Sequence, residues 1–198
     1  MDKIKKILII SSDKSLRDVL TFCLDGWGYE VFVHESPLHD ITPIKKISPD
    51  VIVVDSNFSS MKNDCMVANT LKEKTGVVTI LTGTPTRVYA EDILDMGLDI
   101  VTRMEYDYTV LEIVNTLEKG GDLSEVPGIS YQHDRVKTHN PNRVPTTDSD
   151  LDNLPYVSEV YKKYLNIEDY FLNHAYHPMI QILRKGLVLV HMQKYLQQ

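Results

Sequence analysis

The sequence predicts an α/β fold in which a five-stranded parallel sheet carries helices on both faces. Three observations predict it. Short, wholly apolar runs recur at 6–10 (KILII), 50–55 (DVIVVD) and 77–81 (VVTIL). Segments with apolar residues at helical spacing alternate with them, and polar turns separate the two kinds. Continuous apolar runs mark strands buried on both faces, and βα alternation implies right-handed crossovers between parallel strands.

Residues 6–10 form the first strand, and the turn Ser11-Ser12-Asp13-Lys14-Ser15 offers helix N-caps. Leu16, Val19, Leu20, Cys23 and Leu24 share a helical face that Gly26 or Gly28 ends. Residues 29–34 (YEVFVH) alternate as a second strand, and 41–47 form a short helix closed by Ser48-Pro49. The third strand, 50–55, ends in Asp55. A helix follows over 64–74, with Met66, Val67, Thr70 and Leu71 on its inner face. The fourth strand, 77–81, leads into the tight turn Thr82-Gly83-Thr84-Pro85-Thr86. A helix at 90–96, a fifth strand at 99–102 and a helix at 109–119 complete the pattern before Gly120-Gly121. This is a flavodoxin-like (Rossmann-like) order, in which ligands sit outside the carboxyl ends of the strands. The loops 11–15, 55–60, 82–87 and 103–108 are therefore the candidate site.

Beyond Gly121 the periodicity changes. Residues 128–132 and 135–138 read as a small β-hairpin turning at His133-Asp134. Residues 140–150 are polar, with Pro141 and Pro145, and read as a linker. Residues 156–164 read as a tyrosine-bearing amphipathic helix. Tyr156, Tyr161, Tyr164 and Tyr170 would pack this connector onto a neighbour and, with that neighbour absent, leave an apolar patch. The expected division is 1–121 for the α/β domain, 122–183 for hairpin and connector, and 184–198 for a tail without motif.

A chain of 198 residues accommodates one domain with an appendage, or two small ones. Hydrophobic and charged contents of 42% and 25% are globular values. A net charge of −7 excludes a phosphate-backbone binder, so no nucleic-acid partner is expected. No apolar run approaches the roughly 20 residues of a membrane span, and the start MDKIKKILII has no cleavage pattern. The expectation is a cytoplasmic protein. Cys23 and Cys65 are too few and too far apart for a disulfide framework or a C-x-x-C metal site, and read as buried reduced thiols. The spacing of His133, His139, His174, His177 and His191 suits no metal, so no metal site is expected.

Two resemblances bear on the candidate site. Asp13 after the first strand, Asp55 ending the third and Thr82 ending the fourth resemble the phosphoacceptor set of response-regulator receiver domains. The segments SPDVIVVDSNFSSM and EDILDMGLDIVTR are similar in wording too. That resemblance implies Mg²⁺ at Asp13 and phosphate at Asp55. Receivers carry an acidic pair where this chain has Ser11 and Ser12 before a lone Asp13, and a lysine where Arg103 stands. One carboxylate fewer weakens a site for hard Mg²⁺, and arginine is not an equivalent point charge. Asp55 can also be a strand-end carboxylate that caps the next loop.

From 49 to 182 the chain resembles the amino-terminal half of cobalamin-binding radical S-adenosylmethionine enzymes, in the anaerobic cyclase and hopanoid-biosynthesis branch. The segments that carry this are DSNFSSMKNDCMVANTLKE, TGTP, DIVTRMEYDYTVLEIV, DLSEVPGISYQHDRVKTHNPNR and LDNLPYVSEVYKKYLNIEDYF. Their order and spacing are more specific than any one of them. A receiver accounts for neither the hairpin nor the Asn-Pro-x-Arg and Leu-x-x-Leu-Pro segments, so the radical-enzyme resemblance ranks first and the receiver is the alternative.

The first resemblance in rank implies a corrin lying over the strand ends with its nucleotide tail beside the sheet. The motif Asp-x-His-x-x-Gly, whose histidine ligates cobalt, is absent, which implies His-off binding by Ser56, Asn57, Gly83 and Thr84. Glu105 keeps the family's acid, as a ligand-edge acceptor or a solvent-facing turn residue; Pro85 and Met104 replace the family's histidine and glycine. A methionine there adds bulk and loses access to positive φ. The family binds a [4Fe–4S] cluster and S-adenosylmethionine through C-x-x-x-C-x-x-C after a first barrel strand. Here 176–183 resembles that strand, but RKGLVLVHMQKYLQQ follows without cysteine. The expectation is a truncated or split protein without catalytic residues of its own, in which enzymatic activity is undecided. A separate radical S-adenosylmethionine barrel chain is the implied partner.

Overall fold

The computed structural model describes residues 4–35, 42–103, 106–145, 147, 180–183 and 187–190. Five βα units follow in the predicted order: β1 (Lys6–Ser11), α1 (Lys14–Gly26), β2 (Glu30–Glu35), α2 (Thr42–Ile47), β3 (Val51–Ser56), α3 (Met61–Thr75), β4 (Val78–Gly83), α4 (Thr86–Asp95), β5 (Ile100–Thr102) and α5 (Tyr106–Glu118). β6 (Ile129–His133) and β7 (Val136–His139) come next, and then β8 (Ile180–Leu183) and β9 (Leu187–Val190).

The main sheet runs β2-β1-β3-β4-β5-β6-β7, parallel through β5, which is the flavodoxin-like order with its switch between β1 and β3. The apolar runs do what their composition requires. Ile7 to Ile10 and Val51 to Val54 are at most 1% exposed, so both faces of β1 and β3 are covered. Ile7, Ile9 and Val53 meet Leu20 and Leu24 of α1 and Val110 and Ile113 of α5. Leu8, Ile10, Ile52 and Val54 meet Ile44 of α2, Cys65 and Leu71 of α3, and Ile93 of α4. The two-residue alternation of side chains divides each strand between two cores.

The hairpin is more than an appendage. β6 pairs antiparallel with β5, Thr102 opposite Ile129, and β7 pairs with β6, so the sheet gains two strands. Val126 and Ile129 sit in the α1/α5 core. The compact unit accordingly runs from Met1 to Pro145, beyond the expected boundary at 121, and 146–198 clusters separately. In that second unit β8 lies within the strand expected at 176–183, and it pairs antiparallel with β9. The tyrosine-bearing segment 156–170 lies outside the described residues.

Several boundaries differ from expectation, each for a local reason. α3 and α4 begin three and four residues earlier than the apolar spacing suggests: the first turn of α3 exposes Lys62 and Asn63, and that of α4 exposes Arg87, Val88 and Tyr89, so neither first turn carries a continuous apolar face. The hairpin turns at Asp134-Arg135 rather than His133-Asp134: both have positive φ (49° and 65°), as a two-residue turn matching the strand twist requires. Aspartate tolerates that region by local hydrogen bonding, and the one-residue slip resets which side chains share a face.

Candidate functional site

The carboxyl ends of β1, β3 and β4 bring Ser11, Asp13, Asp55, Ser56, Thr82, Gly83 and Thr84 to one rim. Asp55 is its hub. Ser11 Oγ donates to Asp55 Oδ2 at 2.9 Å, and Thr82 Oγ1 lies 3.5 Å from Oδ1, so one carboxylate ties three strand ends. Burial pushes the Asp55 carboxyl above its ordinary range. Asp13 and Asp64 push it the same way, against the lowering effect of the two hydroxyls.

Asp13 serves the entry of α1: its Oδ1 accepts the Leu16 amide at 3.2 Å, and its own amide donates to Ser11 Oγ at 2.9 Å. Arg17 donates to the Ser11 carbonyl. Ser56, 3% exposed, donates its hydroxyl to Asp64 Oδ2 at 2.9 Å, and Ser60 donates to the same oxygen. Asn57 Oδ1 accepts the amides of Ser59 and Ser60 at 2.9 and 3.1 Å, an Asx turn that shapes the loop into α3. The Asn57 and Thr84 residues are exposed.

Gly83 is where a side chain is forbidden. Its φ is +108°, and a Cβ there would stand 1.9 Å from the Ser56 carbonyl oxygen. Its own carbonyl accepts Thr86 Oγ1 at 2.7 Å, which starts α4 without a side-chain cap at Pro85. Phe58 (62% exposed), in the loop after β3, and Tyr89 (39% exposed), in α4, meet edge to face with ring centroids 6.4 Å apart. Glu105 and Met104 lie outside the described residues.

Arg103 is turned away from Asp55. Its Nη2 donates to the Ile129 carbonyl at 3.1 Å and to the Asn140 carbonyl, its Nε has no partner, and burial lowers its pKa. Asn140 in turn donates to the Leu123 and Val126 carbonyls, both at 2.7 Å. Arg143 Nε donates to Thr109 Oγ1 at 2.9 Å, and its guanidinium pairs with Glu112 of α5. The Asn-Pro-x-Arg segment is thus a strap that fastens the hairpin to α5. Cys23 and Cys65 are buried and form no disulfide, and burial raises the Cys65 thiol to about 11. No group of three or more His, Cys, Asp or Glu is arranged for a metal ion among the described residues. No described helix is long and apolar enough to cross a membrane.

Two residues of this rim have roles that their sequence positions do not show. Ser11, in the turn expected to supply an N-cap, is a hydroxyl partner of Asp55; a hydroxyl beside a strand-end aspartate is the signal for it. Asp64, expected to start a helix, collects the hydroxyls of Ser56 and Ser60.

No family model matches the chain. Over 103 residues it is 28% identical to an uncharacterised methyltransferase of Pyrococcus horikoshii, covering 50% of this chain and 22% of that protein. In fold it is similar to TsrM of Kitasatospora setae, a radical S-adenosylmethionine methyltransferase, with a TM-score of 0.61 at 14% identity over 71% of this chain and 31% of that one. It is similar as well to OxsB, a cobalamin-dependent S-adenosylmethionine radical enzyme solved with aqua-cobalamin bound (TM-score 0.54, 19% identity, 80% of this chain and 26% of OxsB). At these identities the likeness is one of fold. The chain spans about a fifth of the Pyrococcus relative and under a third of either solved neighbour.

Proposed function

We propose that this chain is a cobalamin-binding module of the radical S-adenosylmethionine enzyme class, in the branch its sequence resembles. The observation that carries the reading is the rim. A flavodoxin-like sheet, shared in fold with two cobalamin-dependent radical enzymes or methyltransferases, brings the exposed Asn57 and Thr84 to one strand-end rim, beside the exposed ring of Phe58. An open rim of this kind suits a broad, flat ligand. Asn57, with its carbonyl oxygen committed to the Asx turn, has its amide nitrogen to offer, and Thr84 offers a hydroxyl and backbone groups. Ser56 and Asp64 hold the loop beneath, and Glu105 is the proposed acceptor at the ligand's edge.

No histidine stands in an Asp-x-His-x-x-Gly context, so cobalt would take no protein imidazole. A bound cobalamin would supply a cobalt centre able to carry a methyl group. Two cysteines, both buried, cannot supply the three thiolates of a radical-enzyme cluster, so the cluster and S-adenosylmethionine belong to a barrel on another chain or on further polypeptide. The receiver alternative finds Asp13, Asp55 and Thr82 on the same rim, but Arg103 binds the hairpin and Asp13 caps α1.

Gel filtration of the full chain with hydroxocobalamin tests the reading. Co-elution of the corrin absorbance with the protein is expected. Complete separation of the two at micromolar concentrations of both overturns it.

A further inference from the structure

A cavity lies at the end of the sheet opposite the rim, beside the amino ends of β1 and β2. It measures about 450 Å³ and is lined by Lys5, Trp27, Tyr29, Glu30, Asn115 and Glu118, among others. That is the size of a small-ligand site. Its chemistry is distinct from that of the rim. Trp27, the chain's single tryptophan, is 38% exposed on its wall. Tyr29, 7% exposed, spends one hydroxyl hydrogen on two acceptors, Asn115 Oδ1 at 2.8 Å and Glu118 Oε2 at 3.3 Å.

The cavity is short of donors. Neither Glu30 nor Glu118 forms an ion pair among the described residues, and Lys5 on the same wall pairs with neither. With the Asn115 amide turned either way, the second oxygen of Glu118 and both side-chain oxygens of Glu30 receive no hydrogen bond from the described residues. Tyr29 records the same imbalance: burial raises its pKa, and the Glu118 charge raises it further. An exposed indole beside unneutralised carboxylates is the pattern that selects organic cations, through the ring face and the carboxylates together.

We propose that this basal cleft binds an organic cation, a guanidinium or primary ammonium on a short apolar stem, with Glu118 and Glu30 as its counter-charges and Trp27 as the aromatic wall. The same group reaches the cleft either as a free amine or as an arginine or lysine side chain of a partner. The inference is independent of cobalamin binding, because it uses no residue of the rim.

Trp27 is its own reporter. Fluorescence of the full chain is titrated with agmatine, with an acetylated and amidated Gly-Arg-Gly peptide, and with uncharged 1,4-butanediol. Saturable change with agmatine or the peptide and none with the diol is expected, and whichever of the two binds tighter identifies the source. Glu118→Gln, which keeps an oxygen for Tyr29, should weaken binding at least tenfold, and Glu30→Gln should weaken it less. No saturable change with either cation overturns the proposal, as does a response to the diol equal to theirs. Unaltered binding in both Gln variants overturns it too.

Discussion

Gly83→Ala should be among the most damaging single-methyl changes in this domain, and the size of the effect follows from the rim. A Cβ at Gly83 would lie 1.9 Å from the Ser56 carbonyl oxygen, 2.8 Å from its carbon and 2.9 Å from Asp55 Oδ1. An ordinary carbon–oxygen approach is about 3.3 Å, so relief requires about 1.4 Å of movement. Ser56 is paired with Gly83 in the β3–β4 ladder, so that movement has to separate two bonded strands. A positive φ costs a residue with a side chain about 1–2 kcal/mol, and overpacking costs about 1–3 kcal/mol. The expected loss is about 2–5 kcal/mol, a large share of the roughly 5–15 kcal/mol that holds a domain.

Gly76→Ala is the control. Gly76 caps α3 with φ +68° and has nothing within 4 Å of its virtual Cβ, so it bears only the backbone strain, about 1 kcal/mol. Urea unfolding followed by far-ultraviolet circular dichroism measures both. A Gly83→Ala loss within about 0.5 kcal/mol of the control would refute the steric argument, since strain would then be the whole effect.

Asp55→Asn should stabilise the domain at pH 7. The folded state raises the Asp55 pKa above its unfolded value, so folding disfavours the carboxylate. The stability is greatest below the unfolded pKa and declines as pH rises through the folded one, so the advantage of Asn should vanish below about pH 4. Thermal melts of both proteins from pH 3 to 8 check this, and a variant less stable at pH 7 contradicts it. Asn140→Ala should remove about 2–4 kcal/mol, because two backbone carbonyls lose their donor at a residue 6% exposed. Hydrogen exchange should report faster opening of β6 and β7 than of β1. Cys65, with a thiol pKa of about 11 and no exposure, should resist a thiol-specific reagent at pH 8 until the protein is unfolded in urea. Rapid labelling of Cys65 in the native protein contradicts that burial.

What could be read from the sequence was whatever depends on periodicity. The runs KILII and DVIVVD announced strands covered on both faces, because four adjacent apolar residues between polar turns, too short for a helix of ordinary length, leave no face for water. Boundaries were less legible. The first turns of α3 and α4 bury polar Asp64 and Thr86 and expose Lys62, Asn63, Val88 and Tyr89, so apolar spacing detects each helix only from its second turn. The antiparallel docking of β6 on β5 was invisible, since pairing of Thr102 with Ile129 leaves no local signal.

The same holds for the site. Asp55 and Gly83 stood out by position, but the work of Ser11, Asp64 and Arg103 depends on partners 44, 8 and 37 positions away. The Asn-Pro-x-Arg segment was noticed as a resemblance. Its physical role as a strap on α5 emerges only from the Asn140 and Arg143 contacts.

The central claim, that the rim holds cobalamin without a protein imidazole and with its nucleotide tail displaced, has a spectroscopic signature. Electron paramagnetic resonance of cob(II)alamin mixed with the full chain measures the axial ligand at cobalt directly. The nitrogen splitting of free, base-on cobalamin is expected to disappear on binding, with no new nitrogen splitting in its place. A spectrum identical to that of the free cofactor, or one carrying a protein nitrogen, would contradict it.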